Sequence, residues 1–227
     1  MENLTWIDRM WFEAWNGSSS LLMDRLMLDV TTWWVWIPLY LALIMLIIQN
    51  NETIHGIGII IGTALLCFAM TEISADVIIK PLVGRLRPCQ DPAVDAIIVN
   101  GYRPTGFSFL SAHAANTFGI FVFISQLIKS RSLTFSLLSW TLINCLSRIY
   151  LGAHYPFDVL CGIACGALMG WISYQILQQA MKHIIPRTRY VSHTVTSSGY
   201  ASADVNKVIA ILMLTYIAII IHTSITA

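Results

Sequence analysis

Six apolar runs decide what this chain can fold into. They fall at about 33–49, 56–79, 114–129, 133–151, 157–181 and 207–225, each close to the roughly 17–25 residues that cross a bilayer as a helix. Inside lipid each backbone polar group must be satisfied within its own segment, so such runs form helices rather than an open sheet. The fold expected is all-α: a polytopic membrane helix bundle of about six transmembrane helices in a single domain, 1–227. Ser136, Ser139, Asn144 and Arg148 interrupt the fourth run, which is the weakest of the six.

Composition agrees. Charged residues make up 11% of the chain, where soluble domains carry about 25%. Eight Trp and eight Tyr suit two water–bilayer boundaries, where amphipathic rings settle. A formal net charge of +1 lacks the basic excess of a nucleic-acid binder, so no nucleic-acid partner is expected. The five cysteines make no disulfide framework; Cys67, Cys145, Cys161 and Cys165 lie within apolar runs and read as core packing.

The first thirty residues mix Trp6, Trp11, Phe12 and Trp15 with Asp8, Arg9, Glu13, Asp24 and Arg25. This is not the charged start, apolar middle and small-residue cleavage site of a signal peptide. Residues 1–32 read instead as interfacial helices lying on the membrane, and 182–206 as a polar loop before the last span. Six spans place both termini on one side, together with loops 80–113 and 147–156. Lys129, Arg131, Lys182, Arg187, Arg189 and Lys207 lie on the other side. Setting aside Lys80, Arg87 and Arg148 as functional leaves Arg9, Arg25, Arg85 and Arg103 on the terminal side. The positive-inside rule then makes the far side cytoplasmic, so a plasma (inner) membrane location with an extracytoplasmic site is expected.

Ionisable residues next to membrane spans are costly and call for a functional reading. Three clusters gather at span ends on one side: KPLVGRLRP from Lys80 to Pro88, SFLSAHAAN with Ser111 and His113, and SRIYLGAHYPFD from Ser147 to Asp158. Lys80, Arg87 and Arg148 can converge on a polyanion, since guanidinium forks match phosphate oxygens. Ser111 adds a hydroxyl, and the N–H groups of Ala112 and His113 sit where a helix begins, a natural anion site. Asp158 lies four residues after His154 and can hold its ring, fixing the tautomer and leaving the other nitrogen a better nucleophile.

A metal held by His113, His154 and Asp158 is the rival reading, but three neighbouring cations oppose a divalent ion and favour an anion. Glu72, Asp76 and Lys80 fall at i, i+4, i+8 and read as a charge ladder; Asn116 and Asn144 read as ties between helices. Arg85 reads equally as a headgroup anchor or a site residue, and Arg103 as a surface or substrate-access residue. The loop 89–110 reads equally as a membrane-dipping lid or a connector.

These clusters resemble the signature of the type 2 phosphatidic acid phosphatase superfamily: K-x6-RP, then PSGH, then SR-x5-H-x3-D. Lys80, Arg87 and Pro88 match the first, and Ser147, Arg148, His154 and Asp158 the third. The second matches at Ser111 and His113, with Leu110 in place of Pro and Ala112 in place of Gly. The resemblance implies a lipid phosphatase working through a phosphohistidine, with no metal or other cofactor. His154 is then the nucleophile, Asp158 its orienting carboxylate and His113 the acid for the leaving group. Lys80, Arg87, Ser111, Ala112 and Arg148 would bind the phosphoryl group. The expected partners are the bilayer and a lipid phosphate: a polyprenyl diphosphate, a phosphatidylglycerol phosphate or a lipid A phosphate. The alternatives are a lipid phosphotransferase using the same intermediate and an anion or lipid transporter, although transporter sites tend to sit near the midplane in broken helices.

Overall fold

The computed structural model describes residues 2–182 and 194–227, with side chains from residue 6 onward. Its regular elements are α1 (Glu2–Trp15), α2 (Leu21–Thr31), α3 (Ile37–Gln49), α4 (Ile54–Glu72), α5 (Lys80–Val83), α6 (Ala112–Ile128), α7 (Arg131–Tyr150), α8 (Pro156–Met181) and α9 (Ser202–Thr226). The all-α membrane bundle read from the sequence is the architecture found. The apolar runs fall on α3 with the 3-10 turn before it, on α4 with the π-helical stretch after it, and on α6, α7, α8 and α9, and the chain starts several helices where a side chain can cap. Ser20, Thr53, Ser111 and Ser130 accept N–H groups at the starts of α2, α4, α6 and α7.

Among the described residues, three segments are long and apolar enough to cross a membrane: Ile54–Gln90, Pro156–Met181 and Ser202–Thr226. The pair Leu21–Thr31 and Trp33–Gln49, bent by 68°, meets the same criteria only when the two helices are taken together. Helix α6 is apolar but only 17 residues long, and α7 carries the polar residues noted above. Helix α6 packs against α4, α7 and α8, and α7 against α2, α6 and α9. Of the loop expected at 182–206, residues 183–193 lie outside the described residues, and α9 begins earlier than expected, at Ser202.

Two features bring the three sequence clusters together. The first is a glycine ladder on α8. Methyl groups added at Gly162, Gly166 and Gly170 would stand 2.5, 2.2 and 2.4 Å from the carbonyl oxygens of Ser111, Ala115 and Gly119 on α6. Only glycine permits this approach, the small-xxx-small packing that draws membrane helices into backbone contact. It sets the start of α6 beside the start of α8, where the Ser111 N–H donates to the Asp158 carbonyl at 3.0 Å. The second is a π-helical stretch, Ile73–Ile79, leading into Lys80 and Pro81. A proline ring clashes with the carbonyl four residues back and brings no N–H, so the wider turn absorbs it without ending the helix. Gly84, at φ +61°, then breaks α5 and turns the chain into the loop that carries Arg85 and Arg87.

Candidate active site

The turn between α7 and α8 is the frame of the site. Gly152 takes φ +68°, and the N–H groups of Ala153 and His154 fold back to the Arg148 carbonyl at 3.0 and 3.2 Å. One clip thus fixes Arg148 and His154 relative to each other. The Cys89 N–H donates to the Gly152 carbonyl at 3.1 Å, which docks the Arg85–Pro88 loop onto the same turn.

The His154 ring is 2% exposed. Its Nδ1 lies 2.8 Å from the Ser108 carbonyl, which can only accept, so Nδ1 carries the proton. Its Nε2 lies 3.2 Å from Arg87 Nη1, which can only donate, so Nε2 presents its lone pair. Two independent partners specify the same tautomer. Burial, then the charges of Arg148, Arg87 and Lys80, hold this imidazole well below its ordinary pKa and keep it neutral. The ring is thus neutral, with its Nε2 lone pair turned toward the Arg87 guanidinium.

Asp158 does not contact that ring directly, as its i, i+4 spacing suggested. Fully buried, it accepts the Ser108 hydroxyl at 2.5 Å and the Tyr155 N–H at 3.0 Å through Oδ2, and Arg85 at 2.6 Å through Oδ1. The Ser108 hydroxyl in turn lies 3.4 Å from His154 Nδ1, so the carboxylate reaches the ring through one hydroxyl. The physical reason is the start of α8: Asp158 sits in its first turn, where its carboxylate is spent on the Tyr155 N–H, a capping box.

The charges of Lys80, Arg87 and Arg148 act on the same two histidines, His113 and His154. Arg87 is anchored by Nε to the carbonyls of Thr105 and Gly106, both at 3.1 Å, and by Nη1 to that of Ala153 at 3.0 Å. Arg148 Nη1 donates to the Thr31 hydroxyl at 2.5 Å and the Tyr102 hydroxyl at 2.9 Å, while its buried Nε meets no acceptor among the described residues. Lys80 pairs with Asp76, one turn back, and its charge, with those of Arg87 and Arg148, bears on both His113 and His154. Like charges held together out of water are an arrangement that a polyanion stabilises.

His113 lies in the first turn of α6 with its side chain exposed. Ser111 is fully buried; its hydroxyl accepts the Ala114 N–H at 3.4 Å as the cap of α6, which leaves its own proton to donate. Ala112 follows it as the first residue of that helix, where N–H groups lack intrahelical acceptors.

The other sequence readings divide. Of the charge ladder, Asp76 and Lys80 do pair, but Glu72 accepts from Asn116, which also takes the Thr71 hydroxyl at 2.5 Å and so ties α6 to α4. Asn144 donates within its own helix, to the Trp140 carbonyl at 2.9 Å. Loop 89–110 is pinned rather than free: Asn16 holds both the N–H and the carbonyl of Ile97, and Arg103 donates to the Cys89 carbonyl at 3.3 Å. Arg85 joins the site as a bridge from Asp158 to Asp8, 2.6 Å from each, with its guanidinium 3.9 Å from the centre of the Tyr155 ring. Ser108, Asp8, Thr31 and Tyr102 were not read as site residues. Ser108 opens the second cluster, SFLSAHAAN, and was legible there; a lone acid in an amphipathic helix or a threonine at a helix end carries no such signal.

Residues 59–182 match the PAP2 superfamily. The chain is 34% identical to the lipid A 4'-phosphatase of Bacteroides thetaiotaomicron over 179 residues, 78% of this chain and 79% of that one. It is 43% identical over 98 residues to the decaprenylphosphoryl-5-phosphoribose phosphatase of Mycobacterium tuberculosis, 42% of this chain and 50% of that one. The structure is similar to that of a transmembrane PAP2-type phosphatidylglycerolphosphate phosphatase from Bacillus subtilis, with a TM-score of 0.61, 19% identity and coverage of 82% and 90% of the two chains. The chain belongs to the PAP2 superfamily, and within it to the membrane lipid phosphatases.

Proposed function

We propose that the protein hydrolyses a lipid phosphate through a phosphohistidine on His154, without a metal. The observation that carries this is the lone pair of His154 Nε2, fixed by a carbonyl behind the ring and a phosphate-type cation in front of it. Nε2 attacks phosphorus as the P–O bond to the lipid breaks. His113, exposed at the start of α6, gives its proton to the departing lipid oxygen. Lys80, Arg87, Arg148, the Ser111 hydroxyl and the N–H of Ala112 receive the phosphoryl oxygens, and water then cleaves the N–P bond to release phosphate. The imidazole gains positive charge on attack, and Asp158, acting through the Ser108 hydroxyl, balances it. Phosphoryl transfer needs chiefly positioning and charge, which three cations supply where other phosphatases use metal ions.

Among the candidate lipids, the 4'-phosphate of a lipid A is the leading substrate, because the lipid A 4'-phosphatase similarity spans most of both chains. The site faces the extracytoplasmic side of the plasma membrane, from the distribution of Lys and Arg.

The test is to trap the intermediate. Labelled lipid A 4'-phosphate, mixed with enzyme and quenched in base, should leave an acid-labile label on wild-type protein and none on His154→Ala, with turnover unaffected by chelators and blocked by vanadate. A label that persists in His154→Ala, or activity lost to chelator and restored by a divalent ion, would overturn the mechanism.

A further inference from the structure

Helix α1 lies outside the segment that matches the family, 59–182, yet one stripe of it is built into the catalytic frame. Asp8, Phe12 and Asn16, spaced at i, i+4, i+8, are buried, while Trp6, Trp11 and Trp15 are exposed. The three buried residues each meet a different part of the frame. Asn16 donates to the Tyr150 carbonyl at 2.9 Å and clamps Ile97. Phe12 packs edge-on against the Tyr155 ring, 5.6 Å between centroids. Asp8 does something more specific. Its Oδ1 accepts the Phe157 N–H at 2.8 Å, capping α8, and its Oδ2 accepts Arg85 Nη2 at 2.6 Å.

Arg85 is therefore held from both sides, with Nη2 on Asp8 and Nη1 on Asp158. A guanidinium has a rigid fork, so fixing one nitrogen fixes the other. Asp158 then keeps one oxygen for Arg85 and the other for Ser108 and the Tyr155 N–H, the pairing through which it reaches His154.

We propose that Asp8 is a positioning residue for the reaction. It orients Arg85, and Arg85 aligns the Asp158 carboxylate behind the Ser108–His154 pair. The proposal rests on His154 as nucleophile supported by Asp158. Neither Asp8 nor Arg85 is among the residues read as phosphate ligands, so the effect belongs to the chemical step rather than to binding.

The experiment is a set of variants of the full chain in detergent, assayed on one lipid phosphate, with Asn50→Ala as the comparator for destabilisation alone. Asp8→Asn keeps an acceptor for the Phe157 N–H and loses the ion pair. It should lower kcat roughly tenfold, as expected for one charge-assisted hydrogen bond, and change KM less than twofold. Asp8→Glu should recover part of the rate. Asn50→Ala removes the tie from the α3–α4 turn to Asp204 and the Ala201 N–H, with no link to the site, and should lower the unfolding temperature while leaving kcat near wild type. In an Arg85→Gln background, Asp8→Asn should cost little further. Wild-type kcat in Asp8→Asn, an equal kcat loss in Asn50→Ala, or multiplying losses in the double variant would each overturn the proposal. His154→Ala run alongside separates the two claims: if it stays active, the nucleophile is wrong; if it is inactive while Asp8→Asn is normal, only the role of Asp8 fails.

Discussion

Replacing Gly166 by alanine tests whether the α6–α8 contact sets the catalytic geometry. An added methyl group would lie 2.2 Å from the Ala115 carbonyl oxygen and 2.9 Å from its carbonyl carbon. Ordinary contact begins at 3.4 Å, and both neighbours are backbone, so no side chain can swing aside. The helices must part locally by roughly 1 Å, and a misplacement of that size between reacting groups costs about 100-fold in rate. Forcing a methyl into a packed interface also destabilises by about 1–3 kcal/mol. The displacement separates Ser111 and His113 on α6 from His154 and Asp158 beside α8, so kcat/KM should fall about 100-fold and the unfolding temperature should drop. Gly62, on α4, provides the control: nothing lies within 4 Å of its added methyl. Gly62→Ala should be neutral or slightly stabilising, since alanine favours a helix interior over glycine by about 1 kcal/mol. Phosphate release and thermal unfolding of both variants in the same detergent decide the matter. Normal activity in Gly166→Ala, or equal damage in Gly62→Ala, would refute the reasoning.

Ser108→Ala removes the hydroxyl between Asp158 and His154 but keeps the carbonyl that fixes the tautomer, so kcat should fall roughly 10- to 100-fold; a rate within twofold of wild type would show that the carboxylate acts by another route. His113→Ala should slow a lipid monoester about 10²–10⁴-fold, the usual range for a general acid, and slow the matching diphosphate much less, because a phosphate leaves without a proton. Equal losses in kcat/KM would make His113 a phosphate ligand instead. The His154 imidazole is depressed by burial and by three cations, so its neutral form should persist below the ordinary value of 6.5 and be lost only at lower pH. Nitrogen-15 NMR of labelled His154 should show no protonation between pH 7.5 and 6, and titration near 6.5 would contradict the structure.

Much of this protein was legible before any fold was known, because the bilayer narrows the choices. Apolar runs of span length must be helices, and the few charges beside them must be functional or paired, so Lys80, Arg87, Arg148, His113, His154 and Asp158 stood out by cost alone. What tertiary structure decided was contact between residues far apart in the chain. Asp158 looked like a direct partner of His154 at helical spacing, but helix α8 starts at Pro156 and uses that carboxylate to cap itself, leaving Ser108, fifty residues earlier, to bridge the gap. The glycines at 162, 166 and 170 are ordinary members of an apolar run until α6 lies against them. Asp8 is one acid among several in an amphipathic helix until Arg85 arrives from seventy-seven residues away. Local chemistry and solvent selected the elements and the reactive side chains. Which side chain meets which depends on helix packing, and a pattern within one helix carries no information about its neighbour.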